Sequence, residues 1–259
     1  MKRFSPSPRR LSSHRVPAWL AGPFMLIAAL ATPLQAWAAE SLAATPAGSE
    51  ILARIYANAS VAELLFPGHS SRREIVRRDY DTDDGALRST YVVEADVWGW
   101  LGEADRMKVL KCERNGKAVD LSDCEPKLEG DPLYPMFGES GRDHYQLEFV
   151  REVERNDVAS YQVRVVPKQE TARHFKGDLF FRKDTLSLLS VEGGLADHPF
   201  GLQKFQLRLD FKDKDGRSLL VSGTSDATLY VLFLVDTRIV TEFEASRQRL
   251  LAPDEKPAG

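Results

Sequence analysis

Cysteine, histidine and long apolar runs are all scarce in this sequence of 259 residues. It holds two cysteines and five histidines, and after residue 40 no apolar stretch approaches the roughly 20 residues that a membrane-spanning helix needs. A Cys-x-x-Cys pair, a Walker loop, a dinucleotide fingerprint and a His-Glu-x-x-His helix are also missing. These absences argue against redox, nucleotide-dependent and zinc-hydrolase chemistry, and we expect no transmembrane segment in the mature chain.

Positive charge is concentrated at the N-terminus and is in deficit elsewhere. Residues 1–38 hold five basic residues and no acidic ones, whereas the other 221 residues hold 30 basic and 38 acidic side chains, a net charge of about −8. Because residues 39–259 are net negative, their electrostatic field does not attract phosphate groups. Nucleic acid is therefore not an expected partner. The fractions of hydrophobic (43%) and charged (28%) residues are those of an ordinary folded protein.

The N-terminal segment has the features of an export signal. Basic residues up to Arg15 precede an apolar run from Trp19 to Leu34, and small residues follow at Ala36 and Ala38. This order predicts a secretory signal peptide over residues 1–38, cleaved after about Ala38, and a periplasmic mature chain. The alternative is an uncleaved membrane anchor, but the run is short and contains prolines.

Export favours a disulfide between the two cysteines. Cys112 and Cys124 flank the turn sequence Asn115-Gly116, and disulfides persist outside the cytoplasm. A bridge would close a loop of about 13 residues and stabilise the fold by roughly 3 kcal/mol. A metal site needs more ligands than these two thiols, so no metal is expected here.

The pattern of apolar residues predicts one helix followed by about ten strands. Thr45-Pro46 is typical of a helix start, apolar residues recur at helical spacing from Ile51 to Ala59, and Pro67-Gly68 ends the segment. After it the period is two. The predicted strands are 70–80, 86–98, 105–113, 145–154, 159–167, 174–183, 186–193, 202–212, 217–227 and 229–245.

Short turn sequences between most of these strands indicate antiparallel neighbours in a meander. We expect a single β domain over residues 39–259: a strongly curved antiparallel sheet, or incomplete β-barrel, with the N-terminal amphipathic helix as its plug or lid. A sandwich is the alternative. Residues 121–142 are expected to form an irregular connection, and Leu229–Val235, apolar throughout, a strand covered on both faces.

Catalytic motifs are not supported by the sequence. Gly138-Glu139-Ser140-Gly141 resembles a fragment of a nucleophile elbow, but its spacing is wrong and we interpret it as a solvent loop. The histidines after the signal do not pair at metal-ligand spacing, and Asp143-His144 and Asp197-His198 are interpreted as surface dipeptides. We therefore expect no enzyme, no catalytic residue, no metal and no cofactor.

Aromatic residues are the more suggestive feature. Trp98 and Trp100 share one face of an extended segment, with a glycine between them. Phe180 and Phe205 come from different strands and could meet them on a common concave surface. We predict that these four residues line an apolar ligand cavity; the alternative for each of them is ordinary core packing.

Several of these segments resemble the LolA/LolB-like outer-membrane lipoprotein-sorting family. The resemblance covers most of the mature chain and rests on short strand motifs, which are Tyr161–Lys168, Phe175–Phe181, Asp184-Thr185-Leu186, Val191-Glu192-Gly193, the Ile51–Asn58 helix and the Arg72–Tyr80 strand. Two features depart from the family: only one good helix is predicted, and the C-terminal strand reads Phe243–Arg247 instead of the family's Tyr-x-x-Tyr-Arg. No residue can be matched to the family's gating arginine.

The resemblance implies an incomplete barrel closed by helices around an apolar cavity. It also implies a periplasmic chaperone that shelters the acyl chains of lipoproteins or lipids and transports them towards the outer membrane. Its partners would be an acylated lipoprotein or lipid, an inner-membrane donor and an outer-membrane acceptor. The alternative is a periplasmic sensor or interaction protein that uses the same fold without a transported ligand.

Overall fold

The computed structural model describes residues 46–59, 68–99, 106–124, 136–231 and 235–251. These residues all belong to one unit, Ser41–Gly259. The predicted signal peptide and its cleavage site lie outside the described residues, so both stay predictions.

Eleven strands form one antiparallel sheet in the order β4-β3-β2-β1-β11-β10-β9-β8-β7-β6-β5. The helices are α1 (Pro46–Ala59), α2 (Gly138–His144) and a 3-10 turn, Leu121–Asp123. The strands are β1 (His69–Asp81), β2 (Leu87–Gly99), β3 (Arg106–Arg114), β4 (Lys117–Ala118), β5 (Tyr145–Arg155), β6 (Val158–Pro167), β7 (Phe175–Arg182), β8 (Leu188–Leu195), β9 (Leu202–Lys214), β10 (Arg217–Val231) and β11 (Val235–Leu250). The sheet curves without closing, because β4 and β5 remain its two edges. The predicted incomplete barrel is confirmed.

Tight turns join successive strands of the sheet into an antiparallel meander. Asn115-Gly116, Asn156-Asp157 and Asp215-Gly216 all have positive φ angles, which is the backbone of a two-residue hairpin turn that matches the twist of its strands. Asn, Asp and Gly tolerate that conformation better than other residues do. The sequence therefore fixes three hairpins locally, and the pairing of β1 with β11 joins the two halves of the sheet.

The two faces of the sheet differ in chemistry. Residues that pair across neighbouring strands point to the same side, so each face can be followed from strand to strand. The apolar face includes the row Phe149, Val163, Leu179, Val191, Leu209, Gly223, Phe243, Ile75, Val93 and Cys112. The charged face includes the next row, Glu148, Arg164, Asp178, Glu192, Arg208, Thr224, Glu242, Val76, Val92 and Glu113.

Two packed clusters cover the ends of the apolar face. The larger one places Ile51 and Ile55 of α1 against side chains from β5 to β9, including the fully buried Leu179 and Phe181. The smaller one lies on β2 and β3, around Ala95. Helix α1 thus acts as the predicted plug over one half of the sheet, since its apolar stripe is buried there.

The predicted disulfide between Cys112 and Cys124 is present, with the two Cα atoms 6.0 Å apart. It ties the 3-10 turn after β4 to the apolar face, where Cys112 is buried in the smaller cluster. We expect the double variant C112A/C124A to lose about 3 kcal/mol of unfolding free energy, because the loop is no longer closed in the unfolded chain. Urea denaturation checks this, and wild type measured with a reductant should match the variant. Equal stability of the oxidised protein and the variant would contradict it.

Two details of the fold differ from the sequence prediction. Gly138–Gly141 begins helix α2 instead of a solvent loop, and the helix leads directly into β5. Leu229 lies near the end of β10 and Val235 begins β11, so Leu229–Val235 is not one strand. An unbroken apolar run conceals the position of a hairpin, because it has no Gly, Asn or Asp to mark the turn.

Candidate functional site

A groove runs along β10 on the apolar face, between the two packed clusters. Its floor consists of small residues at alternate positions of β10, namely Gly223, Ser225 and Ala227. The register places Leu209, Leu207 and Phe205 of β9 on one side of these residues and Phe243, Thr241 and Ile239 of β11 on the other. We call these nine residues the central groove.

The dimensions of the central groove follow from sheet geometry. The strands that carry its walls are two strand spacings apart, about 10 Å. Its floor from Gly223 to Ala227 spans about 13 Å at 3.3 Å per residue. The wall side chains are half-buried, in contrast to the fully buried Leu179 and Phe181 beneath α1. The groove is therefore an apolar surface that remains partly open to solvent.

One end of the groove is closed by its own walls. A Cβ atom at Gly223 would lie 2.8 Å from Leu209 Cδ2 and 2.8 Å from Phe243 Cζ, so these side chains already occupy the space above that glycine. The Arg73 guanidinium lies over the Phe243 ring, 5.1 Å from its centroid, and one of its nitrogens is 3.2 Å from His69 Nε2. The closed end thus carries a cation held by an aromatic ring.

A second guanidinium stands further along β1 on the same face. Arg77 pairs with Asp79 at 2.7 Å and stacks on Tyr91 at 5.5 Å from the ring centroid. Arg114 stacks on the same ring at 5.3 Å. The β1 side of the apolar face therefore combines the Tyr91 ring with two stacked guanidinium groups, one of which is paired with a carboxylate.

Of the three predicted cavity residues that the structure describes, Phe205 alone lies in the central groove. Phe180 points to the charged face, where it is buried beneath Arg155, whose guanidinium carbon is 4.4 Å from the ring centroid. Trp98 also points to the charged face and lines a small cavity of about 180 Å³ with Arg72 and Asp96. Trp100 lies outside the described residues. The structure does not bring Trp98, Phe180 and Phe205 together.

A cavity of about 520 Å³ over β8 to β11 is lined largely by charged and polar residues of the other face. Its carboxylates are paired with guanidinium groups: Glu192 with Arg155, Asp226 with Arg238 at 2.9 Å, and Glu242 with Arg78 at 2.7 Å. The hydrogen bond from Arg238 lowers the pKa of Asp226, which keeps that carboxyl ionised.

Within the described ranges, no group of three His, Cys, Asp or Glu side chains is placed to hold a metal ion. None of the helices in that part of the chain is long and apolar enough to cross a membrane.

A buried histidine cluster lies where α2 meets β5, and the sequence did not predict it. His174 is 2% exposed, its Nδ1 lies 2.7 Å from Thr171 Oγ1, and its ring centroid is 5.5 Å from that of His144. The Tyr145 ring packs against both imidazoles, and its hydroxyl accepts a hydrogen bond from the Phe175 backbone N–H at 3.0 Å. Burial, and next the charges of His144 and Arg173, lower the pKa of His174.

This cluster makes stability depend on pH. Because the folded-state pKa of His174 lies below its ordinary value of 6.5, the unfolded chain binds a proton first as the pH falls. The contribution of His174 to the free energy of unfolding should therefore be complete above about pH 7. It should decrease from about pH 6.5 downwards, where the histidine of the unfolded chain titrates. Urea denaturation at pH 7.5 and 5.5 measures the decrease. It should be smaller in His174→Asn and unchanged in His198→Asn, whose histidine is exposed; equal decreases in all three proteins would contradict the prediction.

No family model and no curated protein matches the sequence. Several solved structures are similar, three of them as follows. An outer membrane lipoprotein-sorting protein domain from Vibrio parahaemolyticus is 12% identical, with a TM-score of 0.43, over 81% of this chain and 94% of that one. A DUF1329 family protein from Desulfovibrio piger is 14% identical, with a TM-score of 0.36, over 80% and 94%. A LolA superfamily protein from Nitrosomonas europaea is 12% identical, with a TM-score of 0.34, over 78% and 95%. The LolA superfamily is the one that the sequence motifs resemble.

Proposed function

We propose that this protein shelters the acyl chains of lipoproteins or lipids in its central groove and carries them through the periplasm towards the outer membrane. An acyl chain in water costs about 0.8 kcal/mol for each exposed methylene, so its passage through an aqueous compartment requires an apolar shelter. Binding and release of this kind need no catalytic group, metal or cofactor. The donor and the acceptor would be proteins of the inner and the outer membrane.

The observation that carries the proposal is the change in packing along the apolar face. Under α1 the face is filled, with Leu179 and Phe181 inaccessible to solvent. Along β9 to β11 the same face leaves Phe205, Ile239 and Phe243 partly exposed. A folded protein gains by burying such residues, and a partly open apolar channel beside a solid core is typical of a ligand site.

Calorimetry with a synthetic acylated lipopeptide tests the proposal. The expected result is binding with a negative heat-capacity change, because apolar surface leaves water on both partners. The same peptide without acyl chains should show no binding at equal concentration. Equal binding of both peptides would contradict an acyl-chain site and would point to recognition of the polypeptide.

The filled half of the sheet favours a second candidate function, a sensor or interaction protein with no transported ligand. Ile55 of α1 is 1% exposed and packs within the same cluster as Leu188, so this half of the sheet has a solid core. If the protein has this second function, the wall side chains of the central groove would contact another protein. Failure of both peptides to bind would favour it.

A further inference from the structure

A cleft separate from the central groove lies between α1 and the edge of the sheet. Its volume is about 670 Å³, and α1, the end of α2, the start of β5 and the residue after β6 all contribute to it. The lining residues are Ala53, Tyr56, Ala57, Arg142, Tyr145, Gln146 and Lys168. We call it the α1 cleft. Three strands, β6, β7 and β8, lie between β5 and β9, the nearer wall of the groove.

Arg142 is held in place by an aromatic ring instead of a carboxylate. Its guanidinium lies 4.6 Å from the centroid of the Tyr56 ring. The Tyr56 hydroxyl in turn accepts a hydrogen bond from the Leu147 backbone N–H at 3.3 Å, which links the ring to the edge strand. Within the described part of the chain, no Asp or Glu forms an ion pair with Arg142. The Arg142 side chain is exposed, and no carboxylate of the described residues compensates its charge.

Lys168 brings a second positive charge to the same wall. Its Nζ donates to the Arg142 carbonyl oxygen at 2.6 Å, and its backbone N–H donates to the His144 carbonyl oxygen at 2.8 Å. One N–H of the ammonium thus satisfies a carbonyl oxygen in the last turn of α2, and its other two N–H donors remain for a ligand. Across the described ranges Lys168, like Arg142, forms no ion pair with a carboxylate.

Two cations that form no ion pair with a described residue line this one cleft, in a chain whose net charge is negative. The mature body has a net charge of about −8, so no general field attracts anions to the cleft. An anion that binds here must be recognised by contact. A guanidinium and an ammonium together suit a phosphate group, which takes several charge-assisted hydrogen bonds at once.

We infer that the α1 cleft binds a phosphate group, with Arg142 and Lys168 donating to its oxygens. Ala53 and Ala57, both exposed, form an apolar wall beside the two cations. This wall favours the phosphate of a lipid headgroup, whose acyl chains can lie along α1. The inference goes beyond acyl-chain binding in the central groove and does not depend on it.

The test uses two phosphate probes and two matched double variants. The first probe is dihexanoyl phosphatidic acid, used below its micelle concentration in isothermal titration calorimetry. We expect R142Q/K168Q to bind this lipid at least tenfold more weakly than wild type does. R114Q/K117Q is the control, because it also removes two positive charges and one guanidinium stacked on a tyrosine, in this case Tyr91. The control should remain within twofold of wild type. Repeating the series in an Ala227→Phe background, with the groove filled, removes any contribution of acyl chains bound there.

The outcomes separate the possible sources of binding. Equal loss in both double variants would show that net charge alone attracts the probe and would overturn the inference, as would unchanged binding in R142Q/K168Q. If inorganic phosphate binds as tightly as the lipid and is lost in the same variant, the site is supported with free phosphate as its ligand. Circular dichroism and the thermal midpoint of each variant check that it is folded.

Discussion

Replacing Ala227 with phenylalanine is expected to weaken the binding of acylated ligands at least tenfold. Ala227 forms the floor of the central groove between Phe205 and Ile239, and a ring in place of its methyl group would occupy the space that the acyl chain needs. The substitution adds apolar surface and removes no existing contact, so the folded state should persist. Displacement of a fluorescent fatty-acid probe by an acylated lipopeptide measures the effect.

Thr228→Phe is the matched control for that experiment. Thr228 is the next residue on β10 and points to the charged face, opposite Lys204 and Arg238. The same ring added there should change probe affinity less than twofold. If Ala227→Phe proves unstable, the smaller Ala227→Leu should still weaken binding severalfold. Equal affinity of the Ala227 variants and wild type would exclude the groove as the acyl site.

Gly193→Ala and Gly177→Ala are each expected to lower the free energy of unfolding by about 3 kcal/mol, because added atoms would overfill a closed site. The two glycines face each other on β7 and β8, and the Phe175 ring lies across them. A Cβ at Gly193 would lie 2.7 Å from Phe175 Cζ and 2.7 Å from the Gly177 Cα, closer than such atoms pack. Neither the backbone nor the buried ring can move away at low cost.

Urea denaturation of the two glycine variants tests this account. Lys176→Ala is the control, because Lys176 lies between Phe175 and Gly177 but points to solvent, where it pairs with Glu170 at 2.9 Å. Its change should stay within about 0.5 kcal/mol. If Gly193→Ala were as stable as wild type, the packing of the Phe175 ring would not require the paired glycines, which would contradict the account.

The same glycine pair explains part of the family resemblance in physical terms. Gly177 and Gly193 each belong to one of the motifs that resemble the LolA/LolB-like proteins. Their role here is to leave room for the Phe175 ring against the sheet, an arrangement in which an aromatic residue covers adjacent glycines on paired strands. The two glycine-containing motifs are therefore explained by packing in this chain, and they do not by themselves identify a ligand.

Local signals in the sequence were sufficient for the strands and the disulfide. The alternation of Phe205, Leu207 and Leu209 with polar residues sets one face of β9, and Asp215-Gly216 sets the turn that follows. Cys112 and Cys124 could be paired because they are the only two cysteines and flank a hairpin. Each of these features depends on a few neighbouring residues.

The site could not be predicted in the same way. Leu179, Phe180 and Phe181 are consecutive apolar residues, so the sequence does not show which of them faces the core, and Phe180 in fact lies under Arg155 on the charged face. The groove depends on the register of three strands, and its floor is made of small residues that carry little pattern of their own. The contact between His144 and His174 likewise joins residues that are distant in sequence.

Native mass spectrometry tests the central claim most directly. The protein would be exported with its own N-terminal segment, purified from the periplasm without detergent, and sprayed under gentle conditions. We predict a reproducible added mass that fragments to an acyl chain and that is missing from Ala227→Phe but present in Thr228→Phe. A ligand-free mass for the wild-type protein, which stays ligand-free after an acylated lipopeptide is added, would contradict the carrier function.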